Sequence, residues 1–234
     1  RPRDGKSGGM MEFTQTPGGY EAFLFDMDGT LLTSIPAVER VWTGWAHRVG
    51  APVAEVLAYL HGRRAVDTVR HFAPPHLRIA EEVAWVEVRE IEDVDGVVAI
   101  AGAIDLLASL APGRWAVVTS ASRRLALRRM AAAGLPLPRI MVTSDDVSRG
   151  KPDPEGYRRG AALLGVDIGR CLVFEDTEAG LLAGRAAGAQ VIRIAGPHTA
   201  PQDEEAPTIT GYGGLRVLSG ASGMVLSWAT EPVG

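Results

Sequence analysis

Short apolar runs that alternate with helix-forming stretches constrain the fold of this chain more than any other feature. Five runs have the length and composition of buried strands: Ala22–Phe25, Trp115–Thr119, Ile140–Val142, Cys171–Phe174 and Val191–Ala195. Three helical stretches lie between the later runs, each followed by a glycine: Arg123–Ala133, Glu155–Leu164 and Thr177–Ala187. Strands joined by helical crossovers form a parallel sheet with helices on both faces, so the pattern predicts an α/β fold.

One gap in this alternation is unusually long and has no strand pattern. It divides instead into four helices: Ala37–Val49, Pro52–Leu60, Ala65–Phe72 and Leu77–Asp93. An all-helical insert at the carboxyl edge of a parallel sheet lies over the ligand crevice. We therefore predict a Rossmann-like core formed by residues 20–34 and 101–234, with residues 35–100 inserted as a helical cap.

The two ends of the chain are less clearly patterned. Residues 1–19 begin with RPRDGKSGG and lack the apolar region of a secretory signal, so we expect a disordered tail or a non-native extension. The Gly-rich end of the chain is expected to add at most an edge strand, at Thr208–Thr210 or Leu215–Leu218.

Composition bounds the classes of function. The chain is 46% hydrophobic and 22% charged, which is typical of a globular protein. A net charge of −4 disfavours nucleic-acid and polybasic membrane partners, and no apolar run reaches the roughly 18 residues of a membrane helix. The single cysteine, Cys171, lies in an apolar run typical of a core position. We expect a cytoplasmic protein, monomeric or weakly dimeric.

The segment FLFDMDGTLL, residues 23–32, ends a predicted strand with two carboxylates, Asp26 and Asp28. Side chains two positions apart on an extended strand share a face, and Gly29 allows the chain to turn sharply away. Two like charges this close persist only if a cation neutralises them or one carboxylate takes a proton. Taken alone, an ordinary acidic turn explains the pair equally well.

A second acidic pair, Glu175 and Asp176, follows the apolar run CLVF. With Asp26 and Asp28 at a neighbouring strand end, it would form an oxygen-rich site suited to a hard cation such as Mg²⁺. Acidic residues are also common at helix N-termini for purely electrostatic reasons, so the motif alone is ambiguous.

Two further motifs offer groups that bind an anion. Lys151 in RGKPDPEGY precedes two prolines that stiffen the backbone, and a lysine beside an acidic site suits a phosphate. Thr119 and Ser120 in VVTSASR precede a helix whose free N–H groups also attract anions. A surface lysine and simple helix capping explain each motif separately. All four motifs at strand ends, in this order, point instead to one site.

The order of these motifs resembles the haloacid dehalogenase superfamily. DMDGTL, TS, KPDP and FEDTEAG match the four motifs of its phosphatase branch with a helical cap, over about residues 20–200. The segments YLHGRRAVDTVRHFAP and RWAVVTSASR are similar to sugar-phosphate and polyol-phosphate phosphatases of the glycerol-phosphate and 2-deoxyglucose-6-phosphate type. The resemblance implies Mg²⁺-dependent hydrolysis of a small phosphorylated sugar or polyol.

The resemblance also implies a role for each matching residue. Asp26 would attack phosphorus and form an aspartyl-phosphate, and Asp28 would act as general acid and then general base. The expected phosphate-binding residues are Thr119, Ser120 and Lys151. The expected metal site contains Asp26, Asp28 through its backbone carbonyl, Asp176 and the neighbouring Glu175.

The cap is expected to choose the substrate through a basic turn of four residues: His61, Gly62, Arg63 and Arg64. A solvated turn is the alternative. A phosphomutase of the β-phosphoglucomutase type is the alternative function, but such enzymes carry a histidine where this chain has Val38, so we favour hydrolysis. A non-catalytic phosphate-binding module is disfavoured because Asp26 and Asp28 are both present. Thr33 departs from relatives that often have Asp there, which leaves the hinge electrostatics open.

Overall fold

The computed structural model of this chain describes residues 10–12, 18–196, 206–220 and 223–229. The strands, in chain order, are β1 Met10–Glu12, β2 Ala22–Phe25, β3 Leu32–Thr33, β4 Val98–Ala99, β5 Trp115–Val118, β6 Met141–Val142, β7 Cys171–Glu175, β8 Gln190–Ile194, β9 Thr208–Ile209, β10 Leu215–Gly220 and β11 Gly223–Ala229. The helices are α1 Ile35–Val49, α2 Val53–Leu60, α3 Ala65–Phe72, α4 Ile79–Glu92, α5 Ala103–Ser109, α6 Arg123–Ala132, α7 Glu155–Leu164 and α8 Glu178–Ala187. None of the helices in this described part of the chain has both the length and the apolar character needed to span a bilayer.

The central sheet has six parallel strands in the order β6-β5-β2-β7-β8-β9. All five predicted strand runs lie in it, and β9 joins its edge at one of the two positions that we had considered. Strand β2 lies between β5 and β7, and successive crossovers bring the carboxyl ends of these three strands to one edge. The predicted α/β fold is therefore confirmed.

Helices cover both faces of this sheet because each face is apolar. The side chains of β2 alternate between two cores: Phe23 and Phe25 enter one, and Ala22 and Leu24 enter the other. Helices α5 and α6 pack on the first face, and α7 and α8 on the second. Cys171 is fully buried in the second core, which confirms its interpretation as a packing residue.

Helices α1 to α4, which we call the helical subdomain, have a core of their own. Trp42 and Trp45 pack edge to face at its centre, with ring centroids 5.4 Å apart. The four helices agree with the predicted ranges to within a few residues. The stretch 35–100 is nevertheless not wholly helical, because β4 pairs antiparallel with β3 at its end. A two-residue strand is too short to leave a pattern in the sequence.

A second, antiparallel sheet in the order β1-β11-β10 corrects our expectations for the chain ends. Met10–Glu12 pairs with β11, so the predicted tail 1–19 is wrong for these three residues; residues 1–9 and 13–17 lie outside the described residues. Strand β10 belongs to this small sheet and not to the central one. Strand β11 was missed, because Gly220 and Gly223 at its start dilute the apolar signal.

Candidate active site

The candidate residues meet at the carboxyl edge of the central sheet. Asp26 directly follows β2, and its N–H donates to the carbonyl of Phe174 in β7 at 3.0 Å, so the main-chain ladder fixes its position. Thr119 directly follows β5 and donates its N–H to Val142 at 2.9 Å in the same way. Glu175 is the last residue of β7. These side chains therefore lie together because the strands that carry them are parallel neighbours.

Lys151 lies inside the acidic cluster. Its Nζ donates to Asp26 Oδ1 and, at 2.5 Å, to Glu175 Oε1, and the side chain is almost completely buried. Burial works to lower the pKa of Lys151, but the two carboxylates outweigh it and hold that pKa well above its ordinary value. The lysine is therefore a fixed positive charge between two acids.

Glu175 holds Lys151 in place. Its Oε2 accepts hydrogen bonds from the N–H groups of Asp176 and Thr177, both at 2.9 Å, and from the Thr177 hydroxyl at 3.0 Å. Its Oε1 accepts from the Tyr157 hydroxyl at 3.1 Å as well as from Lys151. A Cβ at Gly180 would lie 1.7 Å from Oε1, so only glycine leaves room for this carboxylate. The contacts of Glu175 make it an anchor for the lysine.

Asp26, Glu175 and Asp176 offer carboxylate oxygens that all lie within 4.8 Å of one another. Burial first, and then repulsion from Glu175, raise the pKa of Asp26 to about 8 against the opposing effect of Lys151. The same two causes raise the pKa of Asp176 well above its ordinary value. Full ionisation of the three carboxyls would give more negative charge than Lys151 balances, and their oxygen donors fit a divalent cation that would supply the missing positive charge.

Gly29 allows Asp176 to approach Asp26. A Cβ at Gly29 would lie 2.0 Å from Asp176 Oδ2, and its φ of 85° is one that glycine adopts readily. The Thr30 hydroxyl donates to Asp176 Oδ1 at 3.2 Å and orients that carboxylate. Gly29, which was expected to allow a sharp turn after β2, therefore also leaves space for Asp176 at the end of β7.

The carboxylate of Asp28 takes part in a different network. Its Oδ1 accepts from the Ser34 hydroxyl at 2.6 Å and from Arg129 Nη1 at 3.1 Å. Arg129 Nη2 donates to Glu90 Oε1 at 3.0 Å, and Trp42 Nε1 donates to the same oxygen at 3.2 Å. The backbone carbonyl of Asp28, which the family resemblance assigns to the metal, is a separate donor.

Arg129 and Glu90 were not predicted from the sequence, although the position of each on its helix is unusual for a charged residue. Leu125, Ala126, Arg129 and Met130 form the buried stripe of α6, so the arginine replaces an expected apolar residue. Glu90 belongs to the buried stripe of α4 in the same way. A charged residue on an apolar helix face is an indication of a buried partner.

Three hydroxyl groups surround the start of α6. Ser122 is the helix cap, accepting from the N–H of Leu125 at 3.3 Å, and its hydroxyl donates to Glu87 at 2.5 Å. The Thr119 hydroxyl accepts from the N–H of Ala121 at 3.1 Å. Capping is therefore the role of Ser122, and Ser120 faces the helical subdomain instead.

The basic turn of the helical subdomain touches this edge of the sheet. The Ser120 hydroxyl donates to the carbonyl of Gly62 at 2.9 Å, and a Cβ on Gly62 would lie 2.5 Å from Thr177 Oγ1. Arg64 donates to the carbonyl of Ser148 at 3.0 Å, and Arg63 stacks on the ring of Tyr59. The four turn residues line the same cavity as Asp26: His61, Gly62, Arg63 and Arg64.

A cavity of about 730 Å³ lies between the helical subdomain and the sheet edge. Asp26, Asp28 and Asp176 form its floor, and Trp42 and Val38 give it an apolar side. This volume lies within the range of sites that bind small molecules. The cavity can therefore hold a small polar ligand directly over Asp26.

Comparison with known proteins agrees with this arrangement. The family model for haloacid dehalogenase-like hydrolases matches residues 20–188. Hexitol phosphatase A of Escherichia coli is 46% identical over 189 residues, which cover 79% of this chain and 88% of that protein. Glycerol-1-phosphate phosphohydrolase 2 of Saccharomyces cerevisiae is 34% identical over 188 residues, which cover 74% of each chain.

A solved structure gives the same result. The crystal structure of a hydrolase from Pseudomonas syringae matches with a TM-score of 0.69 at 25% sequence identity, covering 80% of this chain and 92% of that one. The family match covers strands β2 to β7 and the whole helical subdomain, and it includes Asp26, Asp28, Lys151 and Asp176. The chain belongs to the haloacid dehalogenase-like hydrolase family.

Proposed function

We propose that this protein is a Mg²⁺-dependent phosphomonoesterase that hydrolyses a small phosphorylated sugar or polyol. The observation that carries the proposal is the position of Asp26, which lies beside Lys151 and Asp176 on the floor of a cavity of about 730 Å³. The 46% identity to hexitol phosphatase A supports a polyol phosphate as the substrate.

Asp26 is the proposed nucleophile. Its carboxylate attacks phosphorus, the bond to the alkoxide oxygen breaks, and an aspartyl-phosphate forms. Water then attacks the phosphorus of this intermediate, releasing inorganic phosphate and regenerating the carboxylate. The covalent intermediate divides one difficult displacement into two easier ones. The main-chain bond to Phe174 keeps Asp26 in position throughout.

Asp28 is the proposed general acid and base. It protonates the departing alkoxide in the first step and accepts a proton from water in the second. The contacts of Ser34 and Arg129 both fall on Oδ1, so Oδ2 is the oxygen suited to transfer the proton.

The negative charge on the transferred phosphoryl group has to be balanced by a positive charge and by hydrogen-bond donors. Lys151, the hydroxyls of Thr119 and Ser120 and the N–H groups at the start of α6 are proposed to bind its oxygens. Asp26, Asp176 and the Asp28 carbonyl would hold Mg²⁺. When bound, the ion neutralises charge on the phosphoryl oxygens and orients the group for in-line attack.

The basic turn, His61–Arg64, is proposed to contact the hydroxyl groups or the phosphate of the substrate. Val38 bears on the alternative of a phosphomutase. It lines the cavity and is nearly buried, and its side chain has no group that transfers a proton. This favours release of phosphate to water over return of the phosphoryl group to a sugar.

Phosphate release from a panel of phosphorylated sugars and polyols, with Mg²⁺ and with EDTA, tests the proposal. The Asp26→Asn variant serves as the blank. We expect release that requires both Mg²⁺ and Asp26, with hexitol phosphates among the best substrates. Isomerised sugar phosphate without phosphate release would favour a mutase, and release that persists in EDTA would overturn the role of the metal.

The expected monomeric or weakly dimeric state and the cytoplasmic location stay predictions, as does the lack of nucleic-acid partners. Sedimentation of the purified chain at several concentrations would test the first of these.

A further inference from the structure

Arg129 joins the helical subdomain to the site at the sheet edge. It lies on α6, and its guanidinium bonds to Asp28 on one side and to Glu90 of α4 on the other, at 3.1 and 3.0 Å. Arg129 and Glu90 are both buried. A single side chain thus connects the proposed acid and base with an element that belongs to the opposite wall of the cavity.

The position of this guanidinium depends on both carboxylates. Its Nε has no hydrogen-bond partner among the residues that the structure describes, so the two Nη groups make its polar contacts. A buried cation is retained only when opposite charges balance it, and Asp28 and Glu90 supply them. Trp42 of α1 fixes Glu90 in turn, at 3.2 Å.

The bridge also fixes the rotation of the Asp28 carboxyl group. Ser34 and Arg129 approach the same oxygen from two elements, at 2.6 and 3.1 Å. Two donors on one oxygen determine where the other oxygen points. Without Arg129, the single bond from Ser34 would leave the carboxyl free to rotate about that contact.

We propose that Arg129 is a positioning residue, whose bridge to Glu90 aligns Asp28 for proton transfer when the helical subdomain lies against the core. The proposal rests on the role of Asp28 as general acid given under the proposed function. It has a specific consequence, because only a poor leaving group needs that proton. An alkoxide leaves poorly without protonation, whereas 4-nitrophenolate leaves readily.

Arg129→Met tests this with two esters, the best polyol phosphate of the panel and 4-nitrophenyl phosphate. General acid catalysis contributes about 10²- to 10⁴-fold, so we expect kcat/KM for the polyol ester, which reports formation of the aspartyl-phosphate, to fall about 100-fold. For the aryl ester we expect kcat/KM to fall by less than about 10-fold. The kcat value also contains hydrolysis of the intermediate, in which Asp28 acts as base for both esters alike. The activity of Arg129→Lys on the polyol ester should lie between those of the unaltered protein and Arg129→Met, because an ammonium group can bond Asp28 without reaching Glu90 as well.

The matched control is Arg124→Met, which removes an exposed arginine from the same helix. It should leave both activities unchanged. Thermal unfolding shows which variants fold, and if Arg129→Met does not, Arg129→Lys and Glu90→Gln decide the question with the same two esters. Glu90→Gln keeps the hydrogen-bond acceptor for Trp42 and loses only the charge. We therefore expect it, too, to slow the polyol ester more than the aryl ester, but by a smaller factor than Arg129→Met.

The double variant Arg129→Met with Glu90→Gln should be no slower than Arg129→Met alone, because both changes break one bridge. Equal losses of kcat/KM on the two esters, or additive losses in the double variant, would overturn the positioning role. Failure of the proposed function is distinguishable, since the unaltered protein would then release no phosphate from either ester. An Asp28→Asn variant without selectivity between the esters would remove the premise instead.

Discussion

The two walls of the cavity are built differently. The sheet-edge wall carries Asp26, Lys151 and Asp176, which are buried or nearly so and follow strands or a stiff loop. The opposite wall presents the turn His61–Arg64, which is half-buried and meets the sheet edge through a backbone carbonyl and the van der Waals surface of Gly62. The first wall holds its groups in a buried network, whereas the turn is half-buried and touches the core through few hydrogen bonds.

This difference separates two kinds of effect. Groups on a rigid wall can be preorganised for charge that develops in the transition state, so their loss lowers kcat. Groups on a wall that contacts only the distal part of a substrate contribute mainly to its binding, so their loss raises KM. Substitutions on the two walls should therefore be separable by kinetics.

Asp26→Asn should have the largest effect, because it removes the nucleophile and leaves the rest of the sheet edge in place. We expect turnover to fall by at least about 10⁴-fold, as for other covalent catalysts that lose the attacking group. The circular dichroism spectrum should be unchanged, since Lys151 keeps Glu175 as a partner. Equal turnover in the variant and the unaltered protein would exclude Asp26 as the nucleophile.

Lys151→Met should have the next largest effect. Loss of one electrostatic contact to the reacting group costs about 10²- to 10³-fold in kcat, and we expect that range here. Without the lysine, Asp26 and Glu175 lose their shared counter-charge, so the metal-free protein should lose about 3–5 kcal/mol of stability.

Arg149→Met is the matched control for Lys151→Met. Arg149 lies two positions away in the same loop, and its side chain is 77% exposed and forms an ion pair with Asp153. Its loss should change kcat and the unfolding temperature little, because exposed pairs contribute at most about 1 kcal/mol. A comparable loss of activity in both variants would mean that the loop, and not the lysine charge, matters.

The contrast between the walls also explains what the sequence could predict. Asp26 and Glu175 each follow a short apolar run that predicts a buried strand, so their meeting at one edge follows from parallel topology. Lys151 lies at this edge as well, beside Asp26 and Glu175, and the prolines next to it keep its segment out of a helix until Glu155. Local pattern and topology together were sufficient for this wall.

The features that were not predicted from the sequence depend on contacts between distant parts of the chain. Arg129 and Glu90 lie 39 positions apart, and no local spacing relates them. Their meeting requires the packing of α4 against α6, which sequence periodicity does not determine. Strand β1 was missed for the same reason, since it pairs with β11 from the other end of the chain.

Gly62→Ala tests whether the turn must approach the sheet edge closely. Gly62 has a φ of 73°, and a Cβ there would lie 2.5 Å from Thr177 Oγ1. We expect the added methyl group to push the turn away from Ser120 and to raise KM about 10-fold, equivalent to about 1.4 kcal/mol of substrate binding. The kcat value should change less than KM.

Gly50→Ala separates this clash from backbone strain. Gly50 has the same φ of 73°, but nothing lies within 4 Å of its Cβ position. Both variants should therefore lose about 1 kcal/mol of stability through strain, and only Gly62→Ala should raise KM. An equal change in KM for the two would show that strain in the helical subdomain, and not contact with the sheet edge, controls binding.

Arg63→Ala should have the smallest effect and the most selective one. Arg63 lines the cavity and stacks on Tyr59, 4.3 Å from the ring centroid, so the aromatic ring holds the guanidinium in place without neutralising its charge. We expect KM for the preferred polyol phosphate to rise about fivefold, corresponding to roughly 1 kcal/mol, with kcat nearly unchanged. 4-Nitrophenyl phosphate has no hydroxyl groups for the arginine to bind, so its KM should rise by less.

Tyr59→Leu removes the stacking partner while keeping Arg63, and it should reproduce part of the same difference in KM between the two esters. Equal increases for both esters would assign Arg63 to the phosphate, which the two substrates share, and would move the choice of substrate to the other residues of the cavity.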